Sequence, residues 1–333
     1  MIASVLIAAL TVFLVVSQGR GFSLSELREQ INTASTPWLI LAAAGMFCFI
    51  IFEGCGLHTL IRGLTDHKDN TGGIAYSAAD IYFSAITPSA TGGQPASMIL
   101  MRLDGIHGGE ATVILIINLI MYTAVLLLIG LLSFFMCGDL FFNLSTLSQT
   151  LISIGFLVLI VLTVVFIILL LNEEIVRNIG LWFIRLCERF GITKKGEYWR
   201  SRLDAIILHY RQCAGAVSGK SGVMFRAFVF NLLQRLSQIS VTLFVYLATG
   251  GSSGNLGSVW FYQAVTVIGS YCVPIPGAMG AADYLLLDGL GQISDITLPA
   301  NIELLSRGIS FYTCIIISAV ITLIAFCRRR ERS

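Results

Sequence analysis

Charge is scarce in this chain. Asp, Glu, Lys and Arg together make up 12% of its 333 residues, against about a quarter in soluble domains. That excludes an ordinary soluble fold with a charged surface. The net charge of +2 is no more than balanced, and no nucleic-acid partner is expected. Proline is rarer still, with six residues, and its placement becomes informative below. The eight cysteines include no CxxC pair, and Cys48, Cys272, Cys314 and Cys327 fall inside apolar runs, so packing is their expected role. The four histidines show no HExxH or similar spacing, and no metal ligand is expected among them. Walker A, nucleophile-elbow and dinucleotide motifs are missing, which argues against ATP hydrolysis. Neither a cofactor nor a catalytic residue is expected.

What is abundant is apolar sequence: 56% hydrophobic residues and a mean hydropathy of +0.84. Several runs reach the ~20 residues that cross a bilayer. The pattern predicts spanning helices over 2–18, 37–57, 111–136, 151–171, 225–249 and 302–326. The first run, Ile2 to Val16, lacks a basic n-region and a small-residue cleavage site, so a retained helix is expected rather than a signal peptide.

Two further apolar segments, 76–101 and 259–291, are broken in their middles. The breaks read Thr87-Pro88-Ser89-Ala90-Thr91-Gly92-Gly93-Gln94-Pro95 and Pro274-Ile275-Pro276-Gly277-Ala278-Met279-Gly280, and they hold four of the six prolines. Unwound backbone at membrane depth is tolerated only where protein or a water-filled cavity surrounds it. Paired Gly/Pro-interrupted segments in two halves of a chain are a sequence pointer to a transporter's binding site. Each broken segment is therefore expected to be a re-entrant helical hairpin.

Basic residues mark the cytoplasmic side of a membrane protein. Ten of the 21 lie in 172–226 and four more in the tail at Arg328, Arg329, Arg330 and Arg332, while 137–150 and 250–258 hold none. This predicts a cell-membrane protein with both termini cytoplasmic and hairpins entering from opposite faces. The fold class expected is an all-α polytopic membrane protein, with about six transmembrane helices plus two re-entrant hairpins in an inverted-topology repeat. One repeat covers 1–136 with hairpin 76–101. The other covers 137–333, with an amphipathic cytoplasmic segment at 173–215 and hairpin 259–291. The plainer reading is a helical bundle whose breaks are ordinary kinks.

Helices that begin after a break offer free N–H groups and a positive dipole end. An anionic lipid headgroup is the ligand such tips suit, with candidate contacts at Thr87, Ser89, Thr91, Gly92, Gly93, Gln94, Pro276, Gly277, Gly280 and Asp283. Gly92 and Gly93 would let a ligand approach the backbone. Small residues that merely permit tight packing are the alternative. Arg235 lies deep in an apolar helix, on one face with Asn231, Gln234 and Gln238, and a charge there must face protein or a cavity. Arg307 joins the candidates, although an ion pair with Glu303 within its own helix would explain it equally. Glu53 and Asp80 are candidates for ion coupling, Glu53 with the alternative of snorkelling from near a helix end. Asp104, His107 and Glu110 are expected to form a solvated loop.

Ser84 to Met101, SAITPSATGGQPASMILM, resembles the first signature of the lysylphosphatidylglycerol synthase transmembrane region, the flippase-like domain family. Pro274 to Asp283 is similar to its second signature, with Asp283 where the family usually has glutamate, and Arg307 matches an arginine in its last helix. The resemblance spans nearly the whole chain. It implies a bacterial or archaeal inner-membrane protein. In multiple peptide resistance factors a soluble domain transfers lysine from lysyl-tRNA to phosphatidylglycerol, and the membrane domain moves the product outward, protecting against cationic antimicrobial peptides. The sequence ends at Ser333, just after the last helix, so phosphatidylglycerol lysyltransferase activity is not expected of this chain alone. The resemblance also implies stand-alone relatives linked to polyprenyl-phosphate or glycolipid handling. The expected function is lipid transport between leaflets, with membrane lipids as partners and a homo-oligomer or a separate lipid-modifying enzyme as further partners. A subunit of a lipid-modifying enzyme and a non-transporting scaffold remain the alternatives.

Overall fold

The computed structural model describes residues 34–67, 72–87, 90–190, 196–278, 280–294, 296 and 299–330, and every regular element among them is helical. Helix α1 (Thr36–Leu64) starts after Ser35, whose backbone is extended, with proline in the first turn, where its missing N–H goes unnoticed. Its 29 residues make about 43 Å of helix, more than the ~30 Å hydrocarbon layer. The Ser35 amide donates to Ala248 O at 2.8 Å, tying the start of α1 to the end of a later helix.

The first broken segment is two helices, α2 (Gly73–Ile86) and α3 (Gly93–Leu103), packed on each other. Helices α4 (Gly108–Cys137) and α5 (Thr146–Leu171) follow, α5 capped by the Ser145 side chain. Next come α6 (Glu173–Arg189) and α7 (Gly196–Val217), which cover the expected amphipathic segment. Glutamates open α6 and arginine closes it, complementing its dipole. Ion pairs Arg177–Asp204 and Arg200–Glu188, both 3.0 Å, join α6 to α7, while Ile179, Trp182, Phe183 and Phe190 stay exposed.

Helix α8 (Ser221–Ala248) lies along α1, and the second broken segment is α9 (Leu256–Ser270) and α10 (Ala281–Leu290), again packed together. The chain closes with α11 (Pro299–Arg307), a π-helical stretch Gly308–Thr313, and α12 (Cys314–Arg330).

Among the described residues, five helical stretches are long and apolar enough to cross a membrane: Thr36–Leu64, Gly108–Asn143, Thr146–Leu171, Ser221–Ala248 and Pro299–Arg329. They account for the predicted spans from 37–57 onward; the span 2–18 lies outside the described residues. The chain is a polytopic all-α membrane protein. The four hairpin helices have 14, 11, 15 and 10 residues, or roughly 15–22 Å each, too short to cross alone. Helix α5 keeps only 11% of its apolar window inside the protein, against 61% for α4. Leu157, Ile160, Val164 and Leu171 on α5 and Phe135 on α4 are exposed. In water such a surface would drive aggregation; in lipid it is the expected exterior.

The interior is layered. One apolar cluster takes Ala42, Met46, Phe49 and Ile50 from α1 and Val241, Val245 and Tyr246 from α8. A second takes Leu57, Leu60, Ile61 and Leu64 from α1, Ala227 from α8, and residues of α2, α3, α4 and α7. Between them, on the same two helices, lie the buried polar residues Glu53, Asn231, Gln234 and Arg235.

Candidate functional site

This polar layer depends on a close helix crossing. A Cβ on Gly73 would lie 2.3 Å from Gly54 O, and one on Gly54 would lie 2.9 Å from Ile74 N. Helices α1 and α2 therefore touch backbone to backbone, which sets Glu53 beside Ser77 and Asp80. Ser77 Oγ donates to Glu53 Oε2 at 3.2 Å, and Gln234 Nε2 from α8 donates to the same oxygen at 2.9 Å. Asp80 accepts from Ser84 Oγ at 3.1 Å and from Gln94 Nε2 at 2.7 Å. Arg235 Nη1 donates to Gln238 Oε1 at 2.6 Å. Its guanidinium stacks 3.9 Å from the Tyr122 ring and 5.1 Å from the Phe49 ring, contacts that strengthen where water is excluded. Glu53, Asp80 and Arg235 interact electrostatically as one group, at 5%, 7% and 5% exposure.

Glu53 is not near a helix end. Helix α1 continues to Leu64 instead of stopping at 57, so Glu53 sits inside the bundle and does not snorkel. Phe49, Ser77, Ser84 and Tyr122 belong to the group although sequence reasoning did not select them. Tyr122 carried a signal: it follows Asn118 by one turn on an otherwise apolar helix.

The first tip is held by its own side chains. Thr87 Oγ1 donates to Phe83 O at 2.7 Å and accepts from the Gly92 amide at 2.8 Å. A Cβ on Gly93 would lie 2.0 Å from Asp80 Oδ1, and one on Gly92 would lie 2.6 Å from Thr87 Cγ2. The space beside both glycines is thus taken by Asp80, Ser84 and Thr87, where the expectation was approach by a ligand. Thr91 is exposed at the tip; Ser89 lies outside the described residues.

The second tip holds a separate charged group. Asp283, in the first turn of α10, accepts the Gly280 amide on Oδ2 at 2.9 Å and pairs through Oδ1 with Arg307 Nε at 3.0 Å. The arginine therefore bridges to α10, not to Glu303 on its own helix, although Glu303 interacts electrostatically with both. Arg307 also lies 5.0 Å from the Phe311 ring, at the start of the π-helical stretch; such irregular turns recur at functional sites. Gly277 and Gly280 turn at φ 61° and 77°, as their lack of a Cβ permits. Each tip also forces an alanine into left-handed backbone, Ala90 at φ 54° and Ala278 at φ 49°. That costs about 1–2 kcal/mol per residue. Residues Pro276–Ala278 pack against α2, so the two hairpins meet.

At the basic end the structure departs from the expected solvated loop. Arg329 of α12 donates to both Asp104 oxygens, Nε–Oδ1 2.6 Å and Nη2–Oδ2 2.5 Å, and the Tyr76 hydroxyl donates to Oδ2 as well. The fork clamps the end of α3 to the last helix with only 15% and 22% of the two side chains exposed. Arg329→Ala should lower stability by about 1.5–3 kcal/mol, the range for hydrogen bonds to charged groups. A double-mutant cycle with Asp104→Asn in detergent unfolding should show the two losses to be coupled; additive losses would refute the clamp.

The comparisons agree with this architecture. A family model described as the lysylphosphatidylglycerol synthase TM region matches residues 1–318. No curated protein and no solved structure matches the chain significantly. With that match over nearly its whole length, a helical membrane bundle and paired broken segments, the chain belongs to the lysylphosphatidylglycerol synthase transmembrane-region family.

Proposed function

We propose that the chain is a flippase that moves an anionic or aminoacylated lipid between leaflets, with the headgroup held where the two hairpin tips meet. The observation that carries this reading is a pair of short-helix hairpins in contact, the first with a buried acid–base group and the second with a half-buried one, inside a bundle with an apolar exterior. Arg235 Nε and Arg307 Nη2 are buried without a hydrogen-bond partner. They suit a phosphate oxygen, since guanidinium binds it as a fork. Gln94 Oε1 and Gln234 Oε1 are buried acceptors without a partner, and they suit an ammonium such as that of a lysyl group. Inverted halves rocking about this point would open it to each leaflet in turn. In this reading both termini and the basic end face the cytoplasm, and a separate enzyme supplies any modified lipid.

The test is leaflet exchange in liposomes containing the purified chain. Labelled phosphatidylglycerol, its lysyl derivative and a polyprenyl phosphate should be compared. At least one should cross faster than in protein-free vesicles. Rates no faster than in protein-free vesicles for all three would overturn the proposal. Lipid that becomes chemically modified when charged tRNA is supplied would favour the enzyme-subunit reading instead.

A further inference from the structure

Three of the chain's four histidines, far apart in sequence and without motif spacing, converge at the basic end. His107 and Glu110 open α4, His209 comes from α7, and His67 lies in the connection between α1 and α2. One ligand atom from each of His107, Glu110 and His209 lies within 4.8 Å of the others. The His107 and His209 rings stack at 4.0 Å. His107 Nδ1 is 3.7 Å from Glu110 Oε2, which also accepts the His107 amide at 3.3 Å and is thereby oriented.

The fourth member shows what the cluster wants. His67 Nε2 lies 3.1 Å from Gly105 O. A carbonyl only accepts, so Nε2 carries the hydrogen and, in the neutral ring, Nδ1 presents a bare lone pair. That Nδ1 is buried with no hydrogen-bond partner, 3.9 Å from Glu110 Oε2. A lone pair facing a carboxylate oxygen is unfavourable unless a proton or a metal cation sits between them, and the convergence of two further histidines favours the metal. Imidazole donating one N–H to a backbone carbonyl while the other nitrogen is free is also how metal-ligating histidine is normally held.

We propose that His67, His107, Glu110 and His209 bind one divalent transition-metal ion, zinc by ligand type, as a structural clamp. Imidazole with carboxylate suits zinc, and four protein ligands close the site rather than leaving a catalytic position. Tetrahedral zinc at ~2.0–2.1 Å from each ligand needs ligand atoms roughly 3.3 Å apart. Rotation of the exposed His107 and modest movement of His209 supply the contraction. The backbone is already placed for it, because a Cβ on Gly109 would lie 2.2 Å from Ile206 O and 2.6 Å from Tyr210 N. Helix α7 therefore rests directly on the start of α4, one turn from His209. The ion would pin this amphipathic helix to α4 and to the connection entering the first hairpin.

The test uses the full chain in detergent, stripped by chelator and then titrated with Co²⁺ or Zn²⁺ alone. The expected result is one equivalent bound, with the visible absorption of low-symmetry four-coordinate cobalt and its bleaching by zinc. His209→Ala and His107→Ala should each weaken binding by more than about 100-fold, beyond the ~10–100-fold loss of an outer partner. Zinc should raise the thermal midpoint of the wild type and leave that of His209→Ala unchanged. If a variant fails to fold, His67→Gln, at the rim of the cluster, serves as the second probe and should lose the four-coordinate spectrum. No stoichiometric binding by the wild type, or binding indifferent to these substitutions, overturns the site. Neither outcome touches lipid exchange, which is measured separately.

Discussion

Arg235→Ala is expected to abolish leaflet exchange and to lower stability by about 3–5 kcal/mol, the cost of removing one partner from a buried charge group. The residue is 5% exposed and faces two carboxyl groups, Glu53 and Asp80, between the apolar layers of α1 and α8. Without the guanidinium these acids keep only their mutual hydrogen bond and neutral donors from Ser77, Gln234, Ser84 and Gln94. Loss of transport could then reflect loss of fold, so two companions separate the effects. Arg235→Lys keeps the charge but loses the planar stack on Tyr122, and should fold with weakened exchange. The triple change Arg235→Gln, Glu53→Gln, Asp80→Asn removes the imbalance and should fold while remaining inactive. Wild-type exchange in Arg235→Ala would sink the proposed role.

The second large effect is expected at Gly93. Alanine there brings a Cβ to 2.0 Å from Asp80 Oδ1, 2.1 Å from Ser84 Oγ and 2.6 Å from Asp80 O. The side chains can rotate away, but the backbone carbonyl cannot, so α2 and α3 must separate. Overpacking of this kind costs about 1–3 kcal/mol, and the displaced Asp80 loses its bond to Gln94. Exchange should fall by at least about tenfold, equivalent to ~1.4 kcal/mol. Gly280→Ala is the comparison, since nothing lies within 4 Å of its Cβ but its φ is +77°. Its penalty is backbone strain alone, about 1–2 kcal/mol, and it leaves the Gly93 contact intact. If Gly93→Ala is no worse than Gly280→Ala in exchange assays, the α2–α3 contact is not what positions Asp80.

Much of the fold was legible because lipid imposes simple rules. Helix length, proline and glycine breaks, and the amphipathic pattern at 173–215 each report a local constraint, and α2/α3, α9/α10, α6 and α7 follow them. Boundaries were less legible. Helix α1 runs seven residues past the predicted end at 57, because His-Thr-Leu-Ile-Arg-Gly-Leu carries on the apolar face that packs into the second core layer. That extension keeps Glu53 away from the end of the helix. The π-helical stretch after Arg307 had no sequence signal, since its register depends on what α11 and α12 pack against.

The candidate site divides the same way. Sequence selected Asp80, Arg235 and Arg307 because an isolated charge in an apolar helix demands a partner, and Asp283 because it follows the second Gly/Pro break. It could not pair them: Glu53 meets Gln234 across 181 positions of chain, and Asp104 meets Arg329 across 225. The three histidines make the same point, since no spacing joins them.

The sequence by itself determined that this chain lives in a membrane, that it is helical, and that two segments break at mid-span, because burial of backbone in lipid leaves few alternatives. Only the tertiary structure decided which charges neutralise one another and what fills the space beside Gly92 and Gly93. Those outcomes depend on helix crossings such as Gly54 on Gly73, where a single missing Cβ sets the distance between groups that the chain itself keeps far apart.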